Sequence, residues 1–210
     1  MAENYGEFAC FLDSLLKNIG LKRVYYKEDN GHCFYSRYPV TGLRVIKSGE
    51  DQQSMFITGL LRLRGMSIQL YGCHLASNNY YPDKRRLIVD SLNSIEALKD
   101  YYNNIRFASK LREHEANNIS EEVRKLSVPV VLMGDLNDVS GSACLNALKD
   151  AGLKDAWWEG GMGYGATISR PLPYRIDHVM YTDGIKLKMI KVIDSEGLSD
   201  HDALFAQFEY

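Results

Sequence analysis

Four segments of the chain place acidic, histidine or amide side chains at the ends of apolar runs that are predicted to be strands. They are Cys73-His74-Leu75, Gly134-Asp135-Leu136-Asn137, Arg175-Ile176-Asp177-His178 and Ser199-Asp200-His201. In layered α/β proteins, functional side chains gather on the loops at buried strand ends. Each segment alone also has a structural explanation: a histidine in the core, a turn or helix cap, or an ion pair of Arg175 with Asp177 across a sheet face.

Taken together, the four segments contain the side chains that cleavage of a phosphoester requires. A carboxylate that reaches an imidazole fixes its tautomer and stabilises the imidazolium. Asp135 and Asn137 lie two residues apart, so both project to the same side of an extended backbone. A carboxylate such as Asp200 can hold a hard cation through oxygen. We therefore expect one site with a divalent cation, a group that positions water, a general acid or base, and donors to the phosphoryl oxygens.

The elements that must position these residues follow from the hydrophobic periodicity. Apolar residues at helical spacing predict a helix over 7–19 that ends at Gly20, and SACLNALKDAGL predicts a shorter one. Short apolar segments bounded by turn residues predict strands. These segments are LKRVYY, HCFYSRYPV, GLRVIK, SMFITGLLRLRG, MSIQLYGCHL, VPVVLMG, ATIS, YRIDHVMY, IKLKMIKVID and ALFAQFEY. A helix followed by several strands indicates a layered α/β domain rather than a helical bundle.

A long charged segment from Tyr81 to about Leu126 interrupts the strands. Its composition predicts two or more helices with a break near Asn103–Asn104 and one buried apolar stripe. The predicted stripe consists of Leu87, Leu92, Ile95, Leu98 and Tyr102. Because charge runs on helices are usually solvated, we interpret the charged side as an exposed face rather than a surface for substrate.

The composition narrows the classes of function. The 210 residues include 25 Lys+Arg and 27 Asp+Glu, which gives a net charge of −2. Non-specific nucleic-acid binding usually brings a basic excess, so the charge weighs mildly against a processive DNA-binding protein. No apolar run approaches the about 18 residues of a membrane span. The four cysteines are far apart, which predicts buried free thiols and favours a reducing compartment over a zinc site or a disulfide framework.

The order of these segments resembles that of the endonuclease/exonuclease/phosphatase superfamily, which shares the fold of DNase I and exonuclease III. The matching segments are Ser36-Arg37-Tyr38-Pro39-Val40, His74-Leu75-Ala76-Ser77, Gly134-Asp135-Leu136-Asn137, Arg175-Ile176-Asp177-His178 and Ser199-Asp200-His201. They run in the family's order from about residue 8 to the C-terminus. The long insert between His74 and Asp135 looks most like a bacterial branch, some members of which carry hydrophobic spans ahead of the domain. The expected location is cytoplasmic or, with such a span upstream, membrane-associated.

The resemblance implies a single domain over 1–210 with a four-layer α/β sandwich, in which two mixed sheets pack face to face with helices outside. It implies hydrolysis of a phosphoester with Mg²⁺ or Mn²⁺, most simply by a phosphodiesterase or nuclease. Asp200 would ligate the cation, with Asp135 and Asn137 at or near it, and Asp135 would position the attacking water. His201, oriented by Asp177, would be the general base or transition-state donor.

The remaining site residues have roles on the phosphate. His74 would stabilise the phosphoryl oxygens or protonate the leaving group, and Asn137 would hydrogen-bond the phosphate or the metal shell. Arg175 would bind substrate or pair with a neighbouring carboxylate. The expected partner is a phosphoester, as nucleic acid, phospholipid or small phosphate ester. No protein partner is evident, so a monomer is expected.

One feature of the family's pattern is missing. Family members begin with a strand that ends in Asn and a second strand that ends in Gln-Glu, whose glutamate ligates the metal. Glu3, Glu7 and Glu28 do not end an apolar strand, so none of them is a convincing substitute. We therefore expect a domain that is incomplete at its N-terminus, with weak metal binding and low activity.

Two other readings of the sequence compete with the metal-dependent hydrolase. The missing Asn and Glu favour a non-catalytic relative that acts as a binding or membrane-associated module. A metal-free Ser-His-Asp hydrolase is less favoured, because the chain has no Gly-x-Ser-x-Gly segment. Trp157, Trp158 and Tyr164 could stack on a base or sugar, but we expect them to be core contacts.

Overall fold

The computed structural model describes residues 14–27, 32–48, 54–78, 95–168 and 173–210. The strands in these ranges are β1 (Lys22–Lys27), β2 (His32–Ser36), β3 (Val40–Ser48), β4 (Ser54–Leu63), β5 (Met66–His74), β6 (Val130–Asp135), β7 (Lys154–Asp155), β8 (Asp177–Tyr181), β9 (Lys186–Ile193) and β10 (Ala203–Glu209). The helices are α1 (Ile95–Val123), α2 (Ala143–Asp150) and α3 (Ala156–Gly160). Residues 14–18 are also helical, as predicted, whereas the first half of the predicted helix over 7–19 lies outside the described residues.

A six-stranded mixed sheet forms the centre of the molecule. Its strand order is β3-β4-β5-β6-β8-β7. β5 and β6 are parallel, and the other neighbouring pairs are antiparallel. The carboxyl ends of β5 and β6 therefore meet the amino end of β8 at one edge of the sheet.

One face of this sheet is covered by α1 and α2. β6 can lie between two layers because Val130, Val131 and Leu132 are consecutive apolar residues, and all three are buried there. The core on this side also takes Ile119 from α1 and Leu145 from α2. Ser142 caps the N-terminus of α2 by accepting a hydrogen bond from the amide of Leu145, which agrees with the short helix predicted there.

The other face is covered by the antiparallel hairpin β9–β10 and by α3. Alternate residues of β10, among them Leu204 and Phe208, pack with Val131 and Val179 of the central sheet. Sheet, hairpin and helices together give the predicted α/β class with outer helices, which is confirmed. In the described residues the second sheet is only this two-stranded antiparallel hairpin, and β1–β2 forms a separate hairpin.

The long charged segment differs from its prediction. α1 is one uninterrupted helix through Asn103–Asn104, because packing of its second half outweighs the modest helix propensity of asparagine. Its buried stripe runs from Ala108 to Val123, whereas Ile95, Leu98 and Tyr102 are exposed. The predicted stripe is therefore wrong for these three residues, and Leu87 and Leu92 lie outside the described residues.

Several smaller predictions can also be compared with the structure. The segment ATIS contributes a single bridge of Ile168 to Tyr174 instead of a strand. Ser36 closes the turn between β2 and β3, since its hydroxyl accepts from the amide of Tyr38 at 3.1 Å. Cys73 and Cys144 are buried free thiols, as predicted. None of the helices in the described residues is both long and apolar enough to cross a membrane.

Candidate active site

Strand register places three of the predicted site residues side by side. His74 at the end of β5 pairs with Asp135 at the end of β6, and Asp135 pairs with Asp177 at the start of β8. Neighbouring strands lie about 4.8 Å apart, so side chains that project to the same face at these positions come close together. The histidine Nε2 of His74 lies 3.9 Å from Oδ2 of Asp135.

Gly134 makes this register possible. Its φ of 136° lies in a region that L side chains rarely adopt, and a Cβ there would come within 2.0 Å of the carbonyl oxygen of Cys73. Only glycine lets β5 and β6 approach this closely immediately before Asp135. The glycine of the Gly-Asp-Leu-Asn segment therefore sets the spacing on which the site depends.

His201 joins the site from the loop that precedes β10. Its Nδ1 lies 2.8 Å from Oδ2 of Asp177, with both side chains partly buried. The hydrogen bond to Asp177 raises the pKa of His201, although burial opposes the shift. The loop is tied down because the amide of Asp202 donates to the carbonyl of Thr167 at 2.8 Å. An imidazole held by a carboxylate in this way has a defined tautomer, with Nε2 directed to other partners.

Asp135 carries the most perturbed carboxyl group of the cluster. Burial and the negative charge of Asp177 together raise its pKa to about 6, against the opposing hydrogen bond from the amide of Asn137. That amide donates to Oδ1 of Asp135 at 2.7 Å. Ligand atoms of Asp135, Asp177 and His201 all lie within 4.8 Å of one another. Two carboxylates and an imidazole at this separation can together hold a divalent cation.

His74 and Asn137 complete the edge of the cluster. Burial lowers the pKa of His74, and the nearby charge of His201 lowers it further. Asn137 has a positive φ of 51°, and its side-chain amide donates to the carbonyl of Leu75 at 3.0 Å. This bond links the loop after β6 to the end of β5. The predicted hydrogen bond of Asn137 to phosphate would have to use the second N–H of its side-chain amide.

Asp200 does not belong to the three residues that converge. It is exposed, in the loop before β10, and its contribution to the raised pKa of its neighbour is a minor one. Adjacent residues of this loop direct their side chains differently, and His201 is the one that reaches Asp177. Asp177 lies against His201 as predicted, and the metal-ligand role predicted for Asp200 stays a prediction.

Arg175 is fully committed to a buried network behind the cluster. Its Nη2 lies 2.9 Å from Oδ2 of Asp155, and its Nη1 lies 3.2 Å from Oδ1. Nη1 also lies 2.7 Å from Nδ1 of His178, and Nη2 donates to Ser140 at 2.8 Å. A substrate-binding role for Arg175 therefore finds no support. The alternative prediction of an ion pair holds, with Asp155 as the partner in place of Asp177.

The role of Asp155, and the contacts of His178 with Asp155 and Arg175, are not evident from the sequence. Burial acts to raise the pKa of Asp155, but hydrogen bonds from His178 and Arg175 prevail and lower it to about 2. Asp155 also caps α3 by accepting from the amide of Trp157 at 3.0 Å. An Asp before a short helix is a recognisable cap, yet its spacing from Arg175 carries no signal of the pairing.

The aromatic residues near the glycine-rich segment separate into two groups. Trp157 is buried, as expected, and its indole nitrogen donates to the carbonyl of Gly163. A Cβ on Gly165 would lie 2.2 Å from this ring, which explains a glycine there. Trp158 and Tyr164 are 69% and 64% exposed, so the prediction of core contacts is wrong for both.

Comparisons with known proteins identify the family and the fold of the chain. The protein-family model described as the Endonuclease/Exonuclease/phosphatase family matches residues 4–201. No curated protein sequence matches the chain. A family protein from Leptotrichia buccalis has 17% identity and a TM-score of 0.54, and the match covers 84% of this chain and 64% of that one, so the chain spans less than two thirds of that protein's length.

Two similar structures come from proteins with named activities. The 3′ phosphatase NExo from Neisseria, bound to a product DNA hairpin, has a TM-score of 0.64 and 15% identity over 94% of this chain and 83% of its own. A mannosyl-6-phosphatase from Bacteroides thetaiotaomicron has a TM-score of 0.59 and 14% identity over 91% and 78%. Such low identities establish the fold, and the family match establishes membership. The chain belongs to the endonuclease/exonuclease/phosphatase family.

Proposed function

We propose that this protein is a divalent-metal-dependent phosphoester hydrolase, with phosphodiesters as its first candidate substrates. The observation that carries the proposal is the convergence of Asp135, Asp177 and His201 within 4.8 Å, beside His74, at the strand ends of a family fold. Perturbed acids and histidines that gather from distant parts of a chain are typical of catalytic sites.

The cluster fits a divalent cation on its donor chemistry. Asp135 and Asp177 supply carboxylate oxygens, and burial together with the charge of Asp177 raises the pKa of Asp135, an effect that a cation would oppose. We assign the cation to these two carboxylates rather than to Asp200, because Asp200 is exposed outside the group. A bound Mg²⁺ or Mn²⁺ would polarise a phosphoryl oxygen and lower the pKa of a coordinated water.

His201 and Asp177 act together on protons in this proposal. Because Nδ1 of His201 faces Asp177, Nε2 is the nitrogen that exchanges a proton with water or donates to a phosphoryl oxygen. Asp135 orients the attacking water and accepts its hydrogen bond through a carboxylate oxygen.

His74 and Asn137 serve the phosphate in this proposal. The lowered pKa of His74 favours the neutral imidazole, which can donate one N–H to a phosphoryl oxygen. Of the two predicted roles, this one suits His74 better than protonation of the leaving group. Asn137 holds the end of β5 against the loop after β6 and directs the rest of its amide to the phosphate or the metal shell.

Assays of several types of phosphoester would identify the substrate class. The Neisseria and Bacteroides proteins are named for a DNA 3′ phosphate and a mannosyl phosphate respectively. Nucleic acids, phospholipids and sugar phosphates are therefore all assayed beside a chromogenic phosphodiester and a chromogenic monoester. Hydrolysis of the diester would favour a phosphodiesterase or nuclease, and hydrolysis of the monoester alone would favour a phosphatase.

The decisive experiment combines metal removal with His201→Ala. We expect a chelator to abolish hydrolysis, Mn²⁺ or Mg²⁺ to restore it, and His201→Ala to lower kcat by about a hundredfold to ten-thousandfold. His114→Ala is the matched control, since His114 is an exposed histidine on α1. Hydrolysis that survives the chelator contradicts the metal mechanism. Absence of hydrolysis with every ester, in a folded protein that binds no Mn²⁺, would favour the non-catalytic relative.

A further inference from the structure

α1 carries two charged side chains into the core, where apolar residues are expected. Arg112 and Glu115 are 2% and 1% exposed, on the same face as the buried Ala108 and Ala116. Arginine and glutamate are almost never fully buried unless they are paired. The interpretation of this charged run as a solvated face is therefore wrong for these two residues, and their burial calls for a cause.

The guanidinium of Arg112 contacts two loops at once. Nη1 donates to the carbonyl of Ala76 at 2.8 Å and to Oδ1 of Asn78 at 2.9 Å, both in the segment after His74. Nε donates to Oδ2 of Asp138 at 3.0 Å, in the loop that carries Asn137. One rigid planar group thus joins the end of β5 to the end of β6.

Two further contacts extend this connection. Oε2 of Glu115 accepts from the amide of Ala76 at 3.1 Å, so α1 holds both backbone groups of that residue. The carbonyl of Asp138 lies 3.0 Å from Nε2 of His178, the residue after Asp177. Through Asp138, the contacts of Arg112 therefore reach all three strand ends that supply the cluster.

We propose that Arg112 is a positioning residue, which fixes the loops after β5 and β6 relative to one another and so keeps His74, Asp135 and Asn137 in register. The kinetic part of this inference rests on the proposed function. Arginine suits the task because its planar fork presents several donors in fixed directions, which the point charge of lysine cannot reproduce. A displacement of about 1 Å in a catalytic group can cost about a hundredfold in rate.

The test compares Arg112→Lys with Arg106→Lys, a matched change at an exposed arginine of the same helix. Amide hydrogen exchange is measured at Ala76, which lies in the direct contact, and at Asn137, whose amide bonds Asp135 and not Arg112. We expect Arg112→Lys to speed exchange at both amides by about tenfold or more. Arg106→Lys should leave both at the wild-type rate.

Kinetics supply the second readout. With Mn²⁺ and a chromogenic phosphodiester, Arg112→Lys should lower kcat by about tenfold to a hundredfold while KM stays within about threefold. Asp138→Asn is the second variant should Arg112→Lys fail to fold. It keeps an acceptor oxygen for Nε and the carbonyl that faces His178, and it should show the same pattern in milder form.

Two outcomes would overturn the proposal. One is faster exchange at Ala76 with an unchanged rate at Asn137, because Arg112 would then hold only its own contacts. The other is a lower melting temperature with an unchanged kcat, which is the signature of a purely structural ion pair. If wild-type protein shows no chelator-sensitive hydrolysis, the proposed function has failed, and exchange at Asn137 still decides whether Arg112 holds the loop.

Discussion

Two groups of acids and histidines lie at neighbouring positions of the central sheet. They differ in how far the negative charge of each carboxylate is compensated by nearby positive groups. In the group around Asp155, Arg175 and His178 bond the carboxylate, and its pKa falls to about 2. In the group around Asp135, burial and the carboxylate of Asp177 both raise the pKa of Asp135, which reaches about 6. Both carboxylates are largely withdrawn from solvent.

The contrast separates an acid that stabilises the fold from acids that need a further partner. The carboxylate of Asp155 has all of its charge compensated by neighbours that are themselves buried. Asp135 and Asp177 have the imidazoles of His201 and His74 nearby, but among the described residues no arginine or lysine forms a salt bridge with either carboxylate. Burial by itself therefore does not distinguish a functional acid from a structural one. The distinguishing feature is whether neighbouring positive groups compensate the charge of the buried carboxylate.

The largest stability effect should come from Asp155→Asn. The change keeps the size of the side chain and an oxygen that can cap α3, but it leaves the guanidinium of Arg175 buried without its counter-charge. Breaking a buried ion pair from one side typically costs about 3–5 kcal/mol. We expect a loss of about 3 kcal/mol in the free energy of unfolding, measured by urea denaturation at pH 7.

The double variant Asp155→Asn with Arg175→Met is the control for this prediction. Removing both charges should recover part of the loss, because no uncompensated charge stays behind. A single variant that loses less than about 1 kcal/mol would show that the network of Asp155 carries little of the stability.

The same carboxylate should control stability in acid. The unfolded-state pKa of Asp155 is near 3.8 and its folded-state pKa is about 2, so the folded state favours the charged form. Its contribution is fully present above pH 4 and is lost as the pH falls from about 4 to about 2. By linkage this amounts to about 2 kcal/mol, visible as a fall in melting temperature that Asp155→Asn should lack. An equal fall in the melting temperatures of the wild type and Asp155→Asn as the pH is lowered from about 4 to about 2 would contradict the prediction.

The same contrast explains how much of the site could be read from the sequence. Gly134-Asp135-Leu136-Asn137 and Ser199-Asp200-His201 end or precede strands, so their types and order predicted that their side chains would gather at one edge. Local pattern therefore sufficed for the α/β class, for most strands and for α2. It also sufficed to nominate His74, Asp135, Asp177 and His201, which the sheet register brings together.

The compensating partners could not be read in this way. The pairing of Arg175 with Asp155 spans 20 residues and depends on the place of β7 at the edge of the sheet. The burial of Arg112 depends on which turn of a 29-residue helix meets the loops, and helical periodicity alone placed the buried stripe too early. The grouping of Asp177, and not Asp200, with Asp135 and His201 depends on how the loop before β10 meets the start of β8. All three are set by tertiary packing and not by local sequence.

A smaller effect of opposite sign is expected for Asp135→Asn. The folded-state pKa of about 6 lies above the unfolded value of 3.8, so the contribution of Asp135 to stability is fully present below about pH 4 and is lost as the pH rises through about 6. The variant removes this penalty and should be more stable than wild type by about 1–2 kcal/mol at pH 8. Added Mn²⁺ should raise the melting temperature of the wild type and not that of the variant. Equal stability of the two proteins at pH 8 would contradict the repulsion.

The smallest effect is expected at the exposed ion pair of Lys154 and Asp183. Lys154 is the residue immediately before Asp155. The pair's Nζ–Oδ1 distance of 2.6 Å is shorter than the 2.9 Å of the buried pair, but its side chains are 43% and 89% exposed. Water and salt screen such a pair, and the ordering of the long lysine side chain offsets much of the attraction. Asp183→Asn should leave the urea midpoint within experimental error, at low and at physiological salt. A shift as large as that of Asp155→Asn would mean that contact distance, rather than burial with compensation, decides which ion pairs hold this fold together.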